Sequence, residues 1–151
     1  GDKGEVPEEE YYIEIGKAKV VKEGTDVTVV SFGKMVPRVV IPAVEELEKE
    51  GISVELIDLR TVRPIDFEAI INSVKKTNRL VVVEEAWPLA SISSEITFRV
   101  QKDAFDYLDA PVTRVTSADV PLGYAPTLVE ASLPSITKVV KAIKEVSYIK
   151  K

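Results

Sequence analysis

Short β-branched runs alternate along this chain with stretches whose apolar residues recur every three or four positions. Asp26 to Phe32 reads DVTVVSF, Val54 to Leu59 reads VELIDL, and Arg79 to Glu84 reads RLVVVE. Each is largely apolar, as a strand covered on both faces must be. Val112 to Thr116 is a further strand. Lys17 to Val21 (KAKVV) is a short edge strand, its lysines discouraging pairing with another chain. Between them the period changes. In Met35 to Glu50, residues Val36, Val40, Ala43, Val44 and Leu47 form one apolar stripe. Helices are also predicted over Phe67 to Lys76, Ser91 to Lys102 and Leu133 to Val146, the last with Ile136, Val139, Val140 and Ile143 inward.

The punctuation fits. Gly24 marks a turn, Gly33 ends a strand and Gly51 suits the position after a helix. Pro37 is acceptable in a first helical turn, whereas Pro42 must kink its helix or mark the real start. Asp66 is the expected N-cap of the second helix, and Ser91 or Ser93 lies near the cap of the third. Strands alternating with helices mean an α/β fold: three layers, doubly wound, with a mostly parallel sheet of about five strands and helices on both faces. Residues 1–14 are polar and acidic. They read as a linker from a preceding domain, and residues 15–151 as the folded unit.

Composition narrows the chemistry. At 151 residues, 45% hydrophobic and 30% charged, the chain suits one ordinary folded domain. Its 20 basic against 25 acidic residues give a formal charge of −5, which argues against a nucleic-acid binder and suits a basic protein partner. No apolar run approaches the roughly 18 residues of a membrane span. There is no histidine and no cysteine, so a Ser-His-Asp triad, a thiol nucleophile and a thiolate zinc site are excluded.

Several charged positions fall at strand ends, where open α/β sheets place their working surfaces. Gly33 follows a strand, but SFGKM lacks the glycine series of a phosphate-binding turn, so chain reversal is the simpler reading. Asp58, Arg60, Arg63 and Asp66 could grip an anion or form a structural or subunit seam, and the seam is favoured. Glu84 and Glu85 are paired carboxylates at a strand end. Without a histidine or a metal-ligand set they are expected to cap or orient a loop. Trp87, the single tryptophan, reads as a loop or interface anchor. Asp106 and Asp109 bracket Tyr107-Leu108, either as a solvated turn or as a docking point for a basic partner.

Several motifs then converge. IDLRTVRPIDFEAI, SVKKTNRLVVVEEAWP, SSEI, DYLDAPVTRV, and SADVP followed by Tyr124-Ala125-Pro126 resemble the C-terminal domain of transketolase-type enzymes. Within that group they resemble the beta subunits of pyruvate dehydrogenase decarboxylating components, over about Ile15 to Ile149. The start, GDKGEVPEEEYYIEIGKA, is similar to the segment joining the first beta-subunit domain, which binds the cofactor's pyrimidine, to the second.

The resemblance implies an alpha subunit and a second beta subunit as partners in a heterotetramer. It implies thiamine diphosphate with magnesium in the complete enzyme, but no catalytic, cofactor-binding or metal residue in this domain. The domain's implied work is assembly, with Arg60, Arg63, Glu84, Glu85 and Trp87 as interface candidates. It also implies docking of the peripheral subunit-binding domain of the acyltransferase core, through the acid of the L-[DE]-A-P motif and the terminal carboxylate. The positions that match here are Asp109 and Ile149. Lys150 and Lys151 extend past the family's usual end and would weaken capture of a basic partner. Gly123 also departs from the usual pattern. Branched-chain 2-oxo acid or acetoin dehydrogenase beta subunits are the neighbouring alternatives, and a free-standing α/β binding module is the alternative of another class. The compartment implied is the cytoplasm of a bacterium, or the mitochondrial matrix of a eukaryote.

Overall fold

The computed structural model describes residues 4–148. Ile149, Lys150 and Lys151 lie outside the described residues. Five strands form one sheet: β1 (Lys19–Lys22), β2 (Val27–Ser31), β3 (Val54–Asp58), β4 (Leu80–Val83) and β5 (Thr113–Val115), in the order β1-β3-β2-β4-β5. The four inner and later strands pair in parallel, while β1 runs antiparallel to β3 with an irregularity between Val20 and Lys22. The expected edge strand therefore forms, beginning two residues later than its sequence suggests.

The helices are α1 (Ile41–Lys49), α2 (Phe67–Thr77), α3 (Ile92–Ala104), α4 (Pro126–Ser132) and α5 (Ile136–Val146). Strand alternation divides the core between the two faces of the sheet. Val27, Val29, Leu56, Val81 and Val83 pack with Ala43, Val44 and Leu47 of α1 and with Val139 and Ile143 of α5. Val30, Ile57, Leu80 and Val82 pack with Ile70 and Val74 of α2 and with Ile96 and Val100 of α3. This is the expected three-layer, doubly wound sheet.

Proline sets the boundaries of two helices: Pro42 marks the real start of the first, one of the two outcomes expected, and the second departs from expectation. Met35 to Glu50 is not one α-helix: Val36–Val40 forms a π-helical turn, closed by the Ile41 N–H on the Val36 carbonyl, and α1 follows. Pro42 has no N–H to return to the Arg38 carbonyl, and its ring needs room beside that group, which the widened turn supplies. The closing helix also starts later than Leu133. Pro134 keeps Leu133 extended (ψ 160°), so α4, which the apolar pattern does not reveal, ends there and α5 begins after its Ser135 cap. Asp66 caps α2 as expected, accepting from the Ala69 N–H at 3.1 Å.

The amino edge of the sheet holds a buried polar cluster. Thr28 Oγ1 lies 2.6 Å from Ser73 Oγ and 2.7 Å from Thr77 Oγ1, so these inward hydroxyls satisfy one another. Beside them Glu55, 3% exposed, pairs with Lys76, which also meets Glu23 at 3.1 Å. Burial pushes the Glu55 carboxyl up, but hydrogen bonds with Lys76, Ser73 and Glu23, together with the Lys76 charge, outweigh it and hold the group below the ordinary carboxylate range. Hydrogen bonds to Glu55 and Glu23 raise the Lys76 ammonium above its usual value.

A lowered carboxyl contributes stability that is present above its unfolded pKa and lost as pH falls through its folded one. The raised ammonium contributes stability that is present below its unfolded pKa and lost as pH rises through its folded one. Lys76→Met is therefore expected to flatten the loss of stability as pH falls below the ordinary carboxylate range of about 4–5, since Glu55 would then be buried without its cation. Urea melts through and below that range check this; parallel acid limbs for the two proteins would refute it.

Candidate functional site

The candidate residues fall on opposite edges of the sheet. At the carboxyl edge, the chain order reverses between β2 and β4, which is where doubly wound sheets open a ligand crevice. Here an internal ion pair spans it: Lys34 Nζ, just past β2, lies 2.8 Å from Glu85 Oε2, just past β4. Gly33 has φ +61°, the left-handed backbone conformation that turns the chain after β2 and that a glycine adopts without strain.

Glu84 is fully buried. Its Oε1 accepts from the Ser93 N–H at 3.1 Å, in the first turn of α3. Ser91 occupies the N-cap backbone position but makes no side-chain cap bond. The carboxylate thus takes over the cap, where a negative charge also meets the positive end of the helix. Glu84 is therefore not the interface residue expected, because its carboxylate is wholly inside and occupied with α3, while Glu85 stays near the surface paired with Lys34.

Trp87 is half exposed and donates its indole N–H to the Val120 carbonyl at 3.0 Å. That bond joins the loop after β4 to the loop after β5, around a recess of about 360 Å³. Leu89, Val120, Leu122, Tyr124 and Leu128, on the same two loops and α4, are all exposed. Tyr124 is wholly so. This much apolar surface at one edge is what an interface presents.

Arg60 and Arg63 stand apart from this group. Arg60 has φ +57° and its N–H bonds Asp58 Oδ1 at 3.0 Å. Among the described residues neither arginine has an ion-pair partner. Arg60 lines a shallow recess with Ile13, Ile15 and Asp58. Asp66 does not join them: it is buried and holds Ala18 N–H and Ala69 N–H. The sequence cluster of two acids and two arginines is therefore divided between a helix cap and an exposed loop.

Asp109 lies at the amino edge, next to the start of β4. Its loop is fastened from three sides. The Asp109 N–H donates to the Asn78 carbonyl at 2.9 Å, Asn78 Nδ2 donates to the Tyr107 carbonyl at 2.8 Å, and the Tyr148 hydroxyl donates to the Asp109 carbonyl at 2.9 Å. Arg79 Nη2 stands 3.6 Å from the carboxylate, whose side chain remains 58% exposed. That distance is an attraction without a hydrogen bond, so among the described residues both carboxylate oxygens stay open to other donors. A recess of about 460 Å³, lined by Phe105, Leu108, Ala110, Pro111 and Val112, opens beside it. Asn78, Arg79 and Tyr148 escape notice in the sequence. The one available signal is Asn78 directly after a helix, a residue type that accepts the left-handed conformation it adopts (φ 62°).

Residues 16–139 match the family described as "Transketolase, C-terminal domain". The chain belongs to that family. This transketolase C-terminal domain is 51% identical over 140 residues to the mitochondrial pyruvate dehydrogenase E1 component subunit beta of Dictyostelium discoideum, covering 93% of this chain and 39% of the relative. It is 48% identical over 149 residues to the corresponding subunit of Rhizobium meliloti, covering 98% of this chain and 32% of the relative. The chain thus spans about a third to two fifths of these relatives' length. Among solved structures, a split gene transketolase described as an inactive beta4 tetramer superposes with TM-score 0.80 at 28% identity, covering 98% of this chain and 47% of that one. A 2-oxoglutarate:ferredoxin oxidoreductase from Magnetococcus marinus shares the fold at TM-score 0.57 and 15% identity, over 87% of this chain and 19% of that one.

Proposed function

We propose that this chain is the C-terminal assembly and docking domain of the beta subunit of a thiamine-diphosphate-dependent 2-oxo acid dehydrogenase, with pyruvate as the substrate of the whole enzyme. The observation that carries this is the identity of about half the residues, over nearly all of the chain, with beta subunits of pyruvate dehydrogenase E1 from a slime mould and a bacterium. The partners would be an alpha subunit, a second beta subunit and the subunit-binding domain of the acyltransferase core. The compartment would follow the source: cytoplasm in a bacterium, mitochondrial matrix in a eukaryote.

At the same edge as the exposed Arg60 and Arg63, but separated from them by the loop after β2, the loops around Trp87 suit a subunit seam. Their exposed apolar side chains lose little by meeting another chain and gain from leaving water. Asp109, open at both carboxylate oxygens beside an apolar recess, suits capture of a basic segment. The residues described here do not fit thiamine diphosphate or its magnesium. The switch-point crevice is spanned by Lys34 and Glu85, and among the described residues no three acidic side chains gather as a metal site. Among the described residues no helix is long and apolar enough to cross a membrane.

A chimera tests the reading. With this chain in place of the matching domain of the Rhizobium meliloti beta subunit, co-expression with the alpha subunit should yield an assembled enzyme that turns over pyruvate. The chain alone, with thiamine diphosphate and magnesium added, should not. Failure of a folded chimera to assemble would sink the proposal, as would turnover by the chain alone.

A further inference from the structure

The Asp109 loop and the C-terminal end of α5 are far apart in sequence, yet the structure ties them together. Arg79 is the tie. Its Nε donates to the Val146 carbonyl at the end of α5 (3.0 Å), its Nη1 reaches the Asp26 carbonyl (3.4 Å) and its Nη2 faces the Asp109 carboxylate (3.6 Å). Tyr148, two residues past α5, closes the same joint from the other side through its hydroxyl on the Asp109 carbonyl. The guanidinium side chain is only 26% exposed, so its fork is held in place by the surrounding chain. A planar fork can bond two carbonyls and face a carboxylate at once; a lysine ammonium on a flexible stem cannot hold that arrangement.

We infer that Arg79 and Tyr148 are positioning residues that join the Asp109 loop and the C-terminal end of α5 into one preformed docking surface. The inference rests on the docking reading of Asp109. It adds that a basic partner meets the two elements as a unit, without first having to order either. Asp109 keeps its hydrogen-bonding capacity free, because Arg79 attracts the carboxylate without occupying its oxygens. The Val146 carbonyl is one of the acceptors that a helix C-terminus leaves unpaired, and a cation there is favourable in itself. Preorganisation of this kind lowers the ordering cost of binding and is read mainly in the dissociation rate.

The test uses Tyr148→Phe and Arg79→Lys in the assembled protein. The first keeps the ring and the second keeps the charge, and each removes only the hydrogen-bonding geometry. The probe is the subunit-binding domain of a pyruvate dehydrogenase acyltransferase, followed by surface plasmon resonance at low salt. Dissociation should quicken about fivefold to tenfold for each variant, with the association rate nearly unchanged because net charge is the same. Hydrogen exchange without any partner should speed up at Leu108, Asp109 and Ala110. Unchanged exchange would overturn the joint itself. Faster exchange with unaltered dissociation, while Asp109→Ala still weakens binding, would overturn its role in docking. If Asp109→Ala also binds normally, the docking reading falls, and the exchange result then reports on the joint separately.

Discussion

Gly24→Ala is expected to be the most damaging small substitution in this domain. Gly24 is buried in the connection between β1 and β2, where the chain passes directly against the backbone of β3. A Cβ at that position would collide with the Val54 carbonyl carbon and the Glu55 amide nitrogen. Both are main-chain atoms of residues paired with Val27 and Thr28 of β2, so neither can swing away as a side-chain tip could. Relief requires the β1–β2 connection to lift off the sheet, which would also displace the Gly24 amide from Glu55 Oε1 (3.5 Å) and open the cluster around Lys76. Overpacking of this kind costs about 3 kcal/mol or more where backbone must move. For a domain of this size that lowers the melting temperature by roughly 6–12 °C. Gly33→Ala is the control. It has open space around its Cβ and suffers only from its positive φ, so about 1 kcal/mol is expected. Thermal melts of the two variants decide the matter; Gly24→Ala melting within about 2 °C of the parent would show that the connection yields easily.

The second large effect concerns binding rather than stability. Asp109→Ala should weaken capture of a basic subunit-binding domain by about tenfold to a hundredfold at low ionic strength, which is about 1.4–2.8 kcal/mol. The loss should shrink at high salt, because the carboxylate is more than half exposed and its field is screened beyond a Debye length of roughly 10 Å at 0.1 M. Folding should be almost untouched. The Arg79–Asp109 pair lies near the surface at 3.6 Å, where an ion pair contributes little. The backbone bonds through Asn78 and Tyr148 survive the substitution. Calorimetry at low and high salt, on the assembled protein, reads both quantities. Equal affinities at low salt would remove Asp109 from the docking site.

Much of the architecture is legible in the residues because burial on both faces leaves strands no choice. VTVVS is buried at every position and LVVV likewise, so alternation disappears and a covered parallel sheet is the only economical home for such runs. The Asp66 cap is equally local, since a carboxylate needs only its own next turn to be satisfied. Proline effects are local too, but their outcome is not. Pro42 announces a disturbance, yet whether a helix kinks, restarts or opens into a π-turn depends on how it packs against the sheet. The break at Leu133-Pro134 hides a short helix whose residues are none of them buried, so no apolar period marks α4.

The candidate sites are less legible, for a definite reason. Charged residues near one another in sequence need not meet, and those that meet need not be near. Asp66 leaves the arginines to cap α2, while Lys34 and Glu85 come together across the whole segment between them. Glu84, outwardly half of a carboxylate pair, goes inside to hold α3.

By itself, the sequence determined the three-layer α/β class, the lack of histidine and cysteine chemistry, and the family, because each depends on composition, short-range period or ordered motifs. Only the tertiary structure decided which charges face one another. It put the Trp87 loops on one edge of the sheet and Asp109 on the other, and it brought Arg79 to the end of α5. Those pairings cost loop closure over tens of residues and are set by how strands order themselves in the sheet, which no local pattern of side chains encodes.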